Sequence, residues 1–491
     1  MEKIIKSSDV HLFNVRDEYF LYDVEGNKLF SLSKDAYEIA RKIIKGERIG
    51  ESFSIRYIKA ERELKKVIDE LEPLTEEEAE NRRKILEQTE HKLTGLWLGV
   101  AHSCNLGCAY CFANSPRYLQ THKTLMSEDI AFRGIDFMLN QSPYDKEYDL
   151  IFFGGEPLLR FDLIRKIIEH TSELSKSDKK FYYSITTNGT LLTKDVFDYL
   201  KDNNVSIMLS IDGTEELHNK NRPYKDGRPS WQDIINNISK IPDIGYYIMA
   251  RVTVTSTKPT LLDIFNNMRS LGFIDVALVE ICPNSGEMPV LPSELIPSLQ
   301  NQYLELAEYL IEAETDPYHN GLKCLSVNMQ ALRERKRSFY CCSTGISSLY
   351  LTPDGDFYPC MRLITEKGEN IMGNLENGVD REKIKSFIQN NIFNKKCIQC
   401  WARYICGGGC YGDSFAYGGN IRSVIENYCI MNRFKIEVAA YILKKLNDKK
   451  RLPEKDKKVT LKSFGRYLNK FFSKSPVLQD KILQRKGGEK T

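Results

Sequence analysis

The 491-residue chain contains no run of about 18 apolar residues, the length that a membrane-spanning helix needs. Its first eight residues, 1–8, lack the apolar core of a secretory signal peptide. Basic and acidic residues nearly balance, with a formal net charge of +3, so no chain-wide attraction to nucleic acid is expected. These absences predict a cytoplasmic protein without a membrane span and without a nucleic-acid partner.

Cysteine is plentiful, with 13 residues, and the hydrophobic content of 42% is enough for a large buried core. Small secreted domains use many cysteines for disulfides. In a large chain without a secretion signal, clustered cysteines more often bind metal or do chemistry. We therefore expect reduced thiols in a reducing compartment, and metal centres where the thiols cluster.

The most informative cluster is the stretch Cys104-Asn-Leu-Gly-Cys108-Ala-Tyr-Cys111. Three thiolates at this spacing can bind three irons of a four-iron cluster and leave the fourth iron without a protein ligand. Clusters built only for electron transfer usually have four cysteines, whereas a metal with an open position is suited to bind substrate. The motif therefore indicates a catalytic cluster.

A zinc knuckle is the alternative interpretation of these three cysteines. Zinc prefers ligand pairs from two separate knuckles, but the next cysteine is Cys282, with only His122, His170 and His218 in between. The iron–sulfur interpretation is therefore favoured. Cys282 ends a predicted strand; it faces the active site if the strands form the barrel described below, although a free cysteine is more commonly a small buried residue.

Composition and pattern divide the chain into five regions. Three short strands precede two helices near the start, which is typical of a winged helix. A charged, helix-prone linker follows, and the tail is basic; we interpret the tail as solvated and partly helical, with a membrane or peptide contact as the alternative. The predicted regions are a winged-helix-like module (1–75), the linker (76–94), a strand–helix core (95–315), a cysteine-rich domain (316–440) and the tail (441–491).

The core alternates strand and helix six times, which predicts an α/β fold with a parallel sheet closed into a partial (β/α)6 TIM barrel. Active sites of parallel barrels lie at the carboxyl ends of the strands. The three-cysteine loop directly follows the first strand and so falls at that end. The predicted strands are 96–101, 148–153, 181–186, 205–211, 246–255 and 275–281.

Small polar groups cluster where these strands end. The two glycines of Gly154-Gly155-Glu156-Pro157 let the backbone come close to a ligand, and Glu156 offers acceptors to an ammonium. The alternatives are plain turns at Gly-Gly, Asn-Gly and Asp-Gly, an outward-facing Arg251, and core packing of Tyr110. The candidate binding residues are Tyr110, Gly154, Gly155, Glu156, Thr187, Asn188, Ser210, Asp212 and Arg251.

A second set of cysteines lies in the cysteine-rich domain. The spacing is C-x2-C-x5-C-x3-C, preceded by two further cysteines and followed by a late one. Zinc would accept the same thiolates, but the pattern stands after an iron–sulfur core. The candidate metal ligands are Cys342, Cys360, Cys397, Cys400, Cys406, Cys410 and Cys429.

The three-cysteine spacing resembles the signature of radical S-adenosylmethionine enzymes. The resemblance implies that the open iron chelates the methionine part of S-adenosylmethionine and that the 154–156 motif binds its amino group. It further implies that Thr187 and Asn188 contact the ribose, with Ser210 and Asp212 nearby. Tyr110 would pack beside the adenine, and Arg251 would pair with the methionine carboxylate.

The later cysteines resemble a SPASM domain. The resemblance implies two auxiliary 4Fe–4S clusters, hence three clusters in all. Cys341, the upstream Cys324 or no residue at all would complete the first auxiliary cluster. The implied ligands are Cys342, Cys360 and Cys410 for that cluster, and Cys397, Cys400, Cys406 and Cys429 for the second.

The first module resembles, more weakly, the recognition element of enzymes that modify ribosomally made peptides. The combination resembles the maturases that form thioether cross-links in Cys-rich peptides. It implies a precursor peptide and an electron donor such as flavodoxin or ferredoxin as partners. The alternatives are an anaerobic sulfatase-maturating enzyme, a maturase that forms carbon–carbon cross-links, and a non-catalytic iron–sulfur carrier or peptide chaperone.

Overall fold

The computed structural model describes residues 9–47, 54–88, 91–111, 124–175, 178–280, 291–313, 321–365 and 368–449. Within these ranges, no helix is both long and apolar enough to cross a membrane. The predicted Cys282 and the basic tail beyond residue 449 lie outside the described residues.

The first module is a three-stranded antiparallel sheet followed by two helices. Ser33 and Ser54 cap the helices, because each side chain accepts a hydrogen bond from a backbone N–H of the first turn. The elements are β1 (Val10–Val15), β2 (Glu18–Asp23), β3 (Lys28–Leu32), α1 (Lys34–Ile44) and α2 (Ile55–Asp69).

The two faces of this small sheet belong to different cores. Leu21 packs with Ile39 and Leu64 of the module's own helices. Phe20 and Tyr22 point the other way and join the main core of the protein, as the two-residue period of a strand requires. The module is therefore built onto the rest of the molecule through one sheet face.

The predicted linker contains a helix, α3 (Glu76–Glu87), with a capping box at Thr75. Its Arg82 and Leu86 are buried. Charge and helix propensity indicated the helix, whereas the burial of a charged residue in it depends on partners that are distant in sequence.

The core is a ten-stranded sheet in which six consecutive strands are parallel. β4 is buried at all seven of its positions, as expected for a strand covered on both faces. These six strands are β4 (Gly95–Ala101), β5 (Glu147–Gly154), β6 (Lys180–Thr187), β7 (Val205–Ser210), β8 (Ile248–Val254) and β9 (Val276–Glu280).

The helices of the core pack apolar faces against this sheet. The fifth strand begins at Ile248 rather than at the predicted residue 246, because Ile244–Tyr246 forms a 3-10 turn. The short helix α7 was not predicted. The helices are α4 (Glu128–Gln141), α5 (Phe161–Leu174), α6 (Lys194–Asp202), α7 (Glu215–Asn221), α8 (Trp231–Ile238), α9 (Leu261–Ser270) and α10 (Ile296–Glu312).

The cysteine-rich domain extends the same sheet. Its first strand, β10 (Ser348–Leu351), pairs parallel with β4, and three short antiparallel strands follow. The predicted end of the domain, at residue 440, falls inside its last helix. The remaining elements are β11 (Asp356–Tyr358), β12 (Gly373–Asn374), β13 (Gly378–Val379), α11 (Lys323–Arg333), α12 (Arg381–Gln389), α13 (Arg403–Cys406), α14 (Tyr411–Gly418) and α15 (Glu426–Asp448).

Candidate functional site

The three-cysteine loop follows β4 and is held by its backbone. Gly107 N donates to Pro223 O at 2.8 Å, and Ala109 N donates to Asn221 O at 3.0 Å. A segment that follows β7 thus forms a wall along loop 104–111. All 12 cysteines in the described part of the chain are free thiols.

The Gly154-Gly155 pair brings a neighbouring loop against the cysteines. Gly155 N donates to Ala101 O at 2.6 Å, and Glu156 N donates to Ser103 O at 2.9 Å. A Cβ on Gly155 would lie 2.3 Å from Ser103 O, and one on Gly154 would lie 1.9 Å from Ala101 O. The close approach that requires glycine is therefore to the backbone leading into Cys104.

The Glu156 carboxylate is fully buried and accepts three protein hydrogen bonds. The donors are Leu158 N at 3.0 Å, Thr187 Oγ1 at 2.7 Å and Asn188 N at 2.7 Å. Burial raises the pKa of Glu156 to about 7, against the opposing effect of these donors. Glu156 thus joins the ends of β5 and β6; its binding of an ammonium remains a prediction.

Asn188 connects the end of β6 to the cysteine loop. Its side-chain Nδ2 donates to Asn105 Oδ1 at 2.9 Å and lies 3.7 Å from Cys104 Sγ. Thr187 and Asn188 therefore lie beside the first cysteine, as their place at the carboxyl end of a neighbouring strand requires. Their ribose contacts remain a prediction.

Asp212 is the centre of a buried polar cluster. It accepts a hydrogen bond from Thr253 N at 2.9 Å and another from the Tyr110 hydroxyl. Arg222 Nε lies 3.1 Å from Asp212 Oδ2. Burial raises the pKa of Asp212, but the Arg222 charge and these hydrogen bonds hold it below its usual value. Both predicted residues, Tyr110 and Asp212, therefore bind each other.

Arg222 is a site residue that the sequence did not reveal. Its guanidinium lies over the Tyr110 ring, 5.2 Å from the ring centroid. Burial raises the pKa of Cys108 to about 11, and the Arg222 charge acts in the opposite direction by lowering that pKa. Burial raises the pKa of Cys104 to about 12, with a further contribution from the Glu156 charge. The Cys104 and Cys108 thiols are therefore protonated at neutral pH, and a bound cation would hold them as thiolates.

Ser210 and Arg251 lie opposite each other in the register between β7 and β8. Ser210 is buried and Arg251 is partly exposed. Ser210 is the last residue of β7, at the end of the strand where the cysteine loop lies, whereas Arg251 is the middle residue of β8. Their contacts to a ligand remain predictions.

The later cysteines fall into two groups that match the implied sets. Members of each group lie near enough to affect one another's charge: the thiolate form of one cysteine raises the pKa of its neighbours in the same group. A cavity of about 260 Å³ is lined by all four members of the second group. The groups are Cys341, Cys342, Cys360 and Cys410, and Cys397, Cys400, Cys406 and Cys429.

Cys341 and Cys324 were the candidates for the last ligand of the first group. Cys341 Sγ lies 3.7 Å from Cys342 Sγ. Cys324 Sγ instead lies 4.0 Å from the Tyr303 hydroxyl, in a cluster that includes Glu280. The structure thus places Cys341, and not Cys324, beside the other thiols.

The donor sets consist of free thiols, the ligand type that iron–sulfur clusters use. Among the described residues, no three His, Cys, Asp or Glu side chains are arranged to hold one metal ion. In a four-iron cluster each cysteine binds a different iron, so the sulfurs stand further apart than around one zinc ion. The thiol donors are compatible with the predicted clusters, and the zinc alternative would use the same donors.

Residues 99–269 match the family model of the radical SAM superfamily. The chain contains a radical SAM domain. TigE of Paramaledivibacter caminithermalis, a radical SAM cyclopropyl synthase, is 26% identical over 382 residues, covering 73% of this chain and 76% of TigE. A cysteine-type anaerobic sulfatase-maturating enzyme of Clostridium perfringens is 24% identical over 328 residues, covering 63% of this chain and 86% of that protein.

Two groups of solved structures share the fold. The structure of anSMEcpe with bound AdoMet superimposes with a TM-score of 0.61 at 21% identity, covering 73% of this chain and 99% of anSMEcpe. Streptococcus suis SuiB bound to its precursor peptide SuiA superimposes with a TM-score of 0.50 at 16% identity, covering 85% of this chain and 97% of SuiB. The predicted α/β fold with a partial-barrel core is confirmed. The protein is an enzyme with a radical SAM domain over residues 99–269, and its sequence is similar to those of peptide-modifying and sulfatase-maturating enzymes.

Proposed function

We propose that this radical SAM enzyme modifies a ribosomally made precursor peptide in the cytoplasm and forms thioether cross-links from its cysteines. The observation that carries the proposal is loop 104–111, where three thiols stand at the carboxyl ends of parallel strands. The related proteins support a peptide or protein substrate. The two later cysteine groups support a chemistry in which electrons are removed from that substrate.

Cys104, Cys108 and Cys111 would hold a 4Fe–4S cluster, and the later groups would hold two auxiliary clusters. Flavodoxin or ferredoxin would supply the electron that starts the reaction. Once loaded, the bound groups would supply one-electron chemistry. A hydrogen atom would be removed from a substrate carbon by a 5′-deoxyadenosyl radical. As the substrate cysteine sulfur bonds to that carbon, its thiol proton would leave and one electron would pass to an auxiliary cluster.

The protein's own residues would position these groups. Thr187, Asn188 and Ser210 stand at the sheet edge where the nucleotide would bind, and Arg251 would face the methionine carboxylate. Arg222 and Asp212 contact Tyr110 and so fix its position within the cysteine loop. Because the Tyr110 hydroxyl is already hydrogen-bonded to the Asp212 carboxylate, little rearrangement of Tyr110 would be needed on binding.

The first module would bind the precursor as an added strand at β3. Among the described strands, β3 pairs only with β2, whereas β1 at the other edge packs against α15. Ile55 of the nearby α2 is 85% exposed. An unpaired strand edge with exposed apolar side chains beside it is suited to β-augmentation by an extended peptide.

A sulfatase-type modification is the second candidate, because a sulfatase-maturating enzyme is among the relatives and anSMEcpe shares the fold. Such an enzyme converts one residue to formylglycine and does not need a recognition module. The first candidate is supported by the extent of the alignments, because SuiB bound to its precursor peptide covers 85% of this chain and anSMEcpe covers 73%.

The test uses the reduced holoenzyme, S-adenosylmethionine and a short Cys-rich peptide encoded beside its gene. A thioether removes two hydrogens per cross-link and one thiol that iodoacetamide can alkylate. A carbon–carbon link removes two hydrogens but leaves every thiol free, and formylglycine reacts with a hydrazide. Mass spectrometry before and after alkylation, with a hydrazide probe, separates the three. Free thiols on a peptide that has lost two hydrogens would overturn the thioether proposal, and no 5′-deoxyadenosine at all would favour the non-catalytic carrier.

A further inference from the structure

The stretch between Cys400 and Cys406 faces the first module. The Trp401 indole stacks on the His11 imidazole, with centroids 3.9 Å apart and planes 7° from parallel. Tyr22 meets the same indole edge-on at 5.9 Å. Side chains of β1 and β2 thus contact the residue that directly follows a cysteine of the second group.

Glu25, in the turn between β2 and β3, makes the most concentrated contact. It is 1% exposed. Its carboxylate accepts from Arg403 Nη2 at 2.7 Å, from the Tyr404 hydroxyl at 2.8 Å and from Arg82 Nη1 at 2.5 Å. Two of these three donors lie between Cys400 and Cys406.

The chain of contacts reaches the cysteine backbone itself. Arg403 Nη1 donates to Cys400 O at 3.2 Å, while its Nη2 is held by Glu25. Arg82 also donates to the Tyr404 hydroxyl at 2.8 Å. Charge-assisted hydrogen bonds of this kind are stronger and more directional than neutral ones. The orientation of this loop therefore depends on a carboxylate from the start of the chain.

An ordinary domain contact would be spread over surfaces away from the metal ligands. Here the buried charges meet on residues that separate two members of one cysteine group. Arg82 and Arg403 bring two positive charges to one carboxylate, so removal of Glu25 would leave both guanidiniums buried without their shared partner. Buried charges are stable only when paired and hydrogen-bonded.

We propose that the first module is a structural part of the second auxiliary cluster site, and that Glu25 is the positioning residue that aligns Cys397, Cys400, Cys406 and Cys429 to take up and retain that cluster. The inference rests on the proposed function, since it assumes an auxiliary cluster at these four cysteines. It goes beyond peptide recognition, because it assigns the module a second task in the same molecule.

The test compares Glu25→Gln in the full-length protein with Glu38→Gln, a module residue that pairs with Arg41 on an exposed surface. Both variants are reconstituted anaerobically with iron and sulfide. Wild type and Glu38→Gln should bind about twelve irons, and Glu25→Gln fewer, between about eight and about twelve, because its second site is only partly filled. Release of the remaining second-site iron to a chelator should be about 10-fold faster or more, the effect typical of lost outer-shell hydrogen bonds. Cleavage of S-adenosylmethionine without peptide reports the first cluster and should be unchanged.

Tyr404→Phe keeps the ring and removes only the hydroxyl donor to Glu25. It should also speed the release of second-site iron to the chelator. If Glu25→Gln does not fold, the result for Tyr404→Phe decides whether the inference stands. Iron content and release equal to wild type in the variant that folds would overturn the inference. Wild-type protein with only about four irons would instead overturn the auxiliary clusters of the proposed function, before any variant is considered.

Discussion

In the barrel, loop 104–111 is held by backbone hydrogen bonds from its own domain, such as the 2.8 Å bond from Gly107 N to Pro223 O. In the cysteine-rich domain, residues 401–404 are held by side chains of another region, with Glu25 and Arg403 separated by 378 positions in sequence. The difference shows that two cysteine motifs in one chain can depend on very different parts of it.

The side chains that bond to the first loop come from the barrel itself, as Asn188 does to Asn105 and Asp212 to Tyr110, so this loop can tolerate changes in the first module. The second loop depends on particular charges, since both Arg403 and Tyr404 bond to one carboxylate. Loss of a single residue in the first module is therefore expected to disturb the second site and leave the first intact. The predictions below test this contrast, beginning with the largest expected effect.

Replacing Cys104, Cys108 and Cys111 together by Ala should abolish 5′-deoxyadenosine formation. It should remove about four irons and leave about eight, because the later cysteine groups do not use these thiols. Iron analysis and product chromatography measure the two effects. Loss of all iron would show that the two regions load together, and full retention would remove the assignment of the first cluster.

Arg222→Met should destabilise the barrel by about 3–5 kcal/mol, because it leaves the Asp212 carboxylate buried without its charge partner. The control is Arg228→Met, whose pair with Asp226 is exposed, with side-chain exposures of 67% and 56% compared with 7% and 0% for Arg222 and Asp212. An exposed pair contributes about 0–1 kcal/mol.

Urea denaturation of the cluster-free protein measures the free energy of unfolding of Arg222→Met and of Arg228→Met. Equal losses in free energy of unfolding for Arg222→Met and Arg228→Met would contradict the burial argument. An Arg222→Lys variant keeps the charge and should recover part of the loss, since lysine lacks the planar fork that reaches both Asp212 and Thr253.

Gly155→Ala should have the smallest effect of the three, about 1–3 kcal/mol, because its Cβ would push on Ser103 O from 2.3 Å. Gly107→Ala is the matched control in the same region, since its nearest neighbour would be Lys225 Cα at 3.5 Å, an ordinary contact. Thermal unfolding and iron release from the first site compare the two. Faster release from Gly107→Ala would contradict the close-approach argument.

Much of the fold followed from the sequence because its signals are local. Apolar runs of strand length, such as that of β4, alternate with helices that begin at Ser or Thr caps. The positions of Glu156, Asn188 and Asp212 beside the cysteine loop also followed, since parallel strands bring their carboxyl ends to one edge. What Glu156 and Asp212 do there was less predictable: their carboxylates bond to protein donors.

The sequence by itself determined the three-cysteine motif, the later cysteine spacing and the order of strands and helices, because spacing and periodicity are properties of neighbouring residues. Only the tertiary structure decided that Arg222 lies against the first loop, that Cys341 lies beside Cys342 whereas Cys324 lies near Tyr303, and that Glu25 meets Arg403. A buried charge must be paired, but which partner it finds depends on how the whole chain folds.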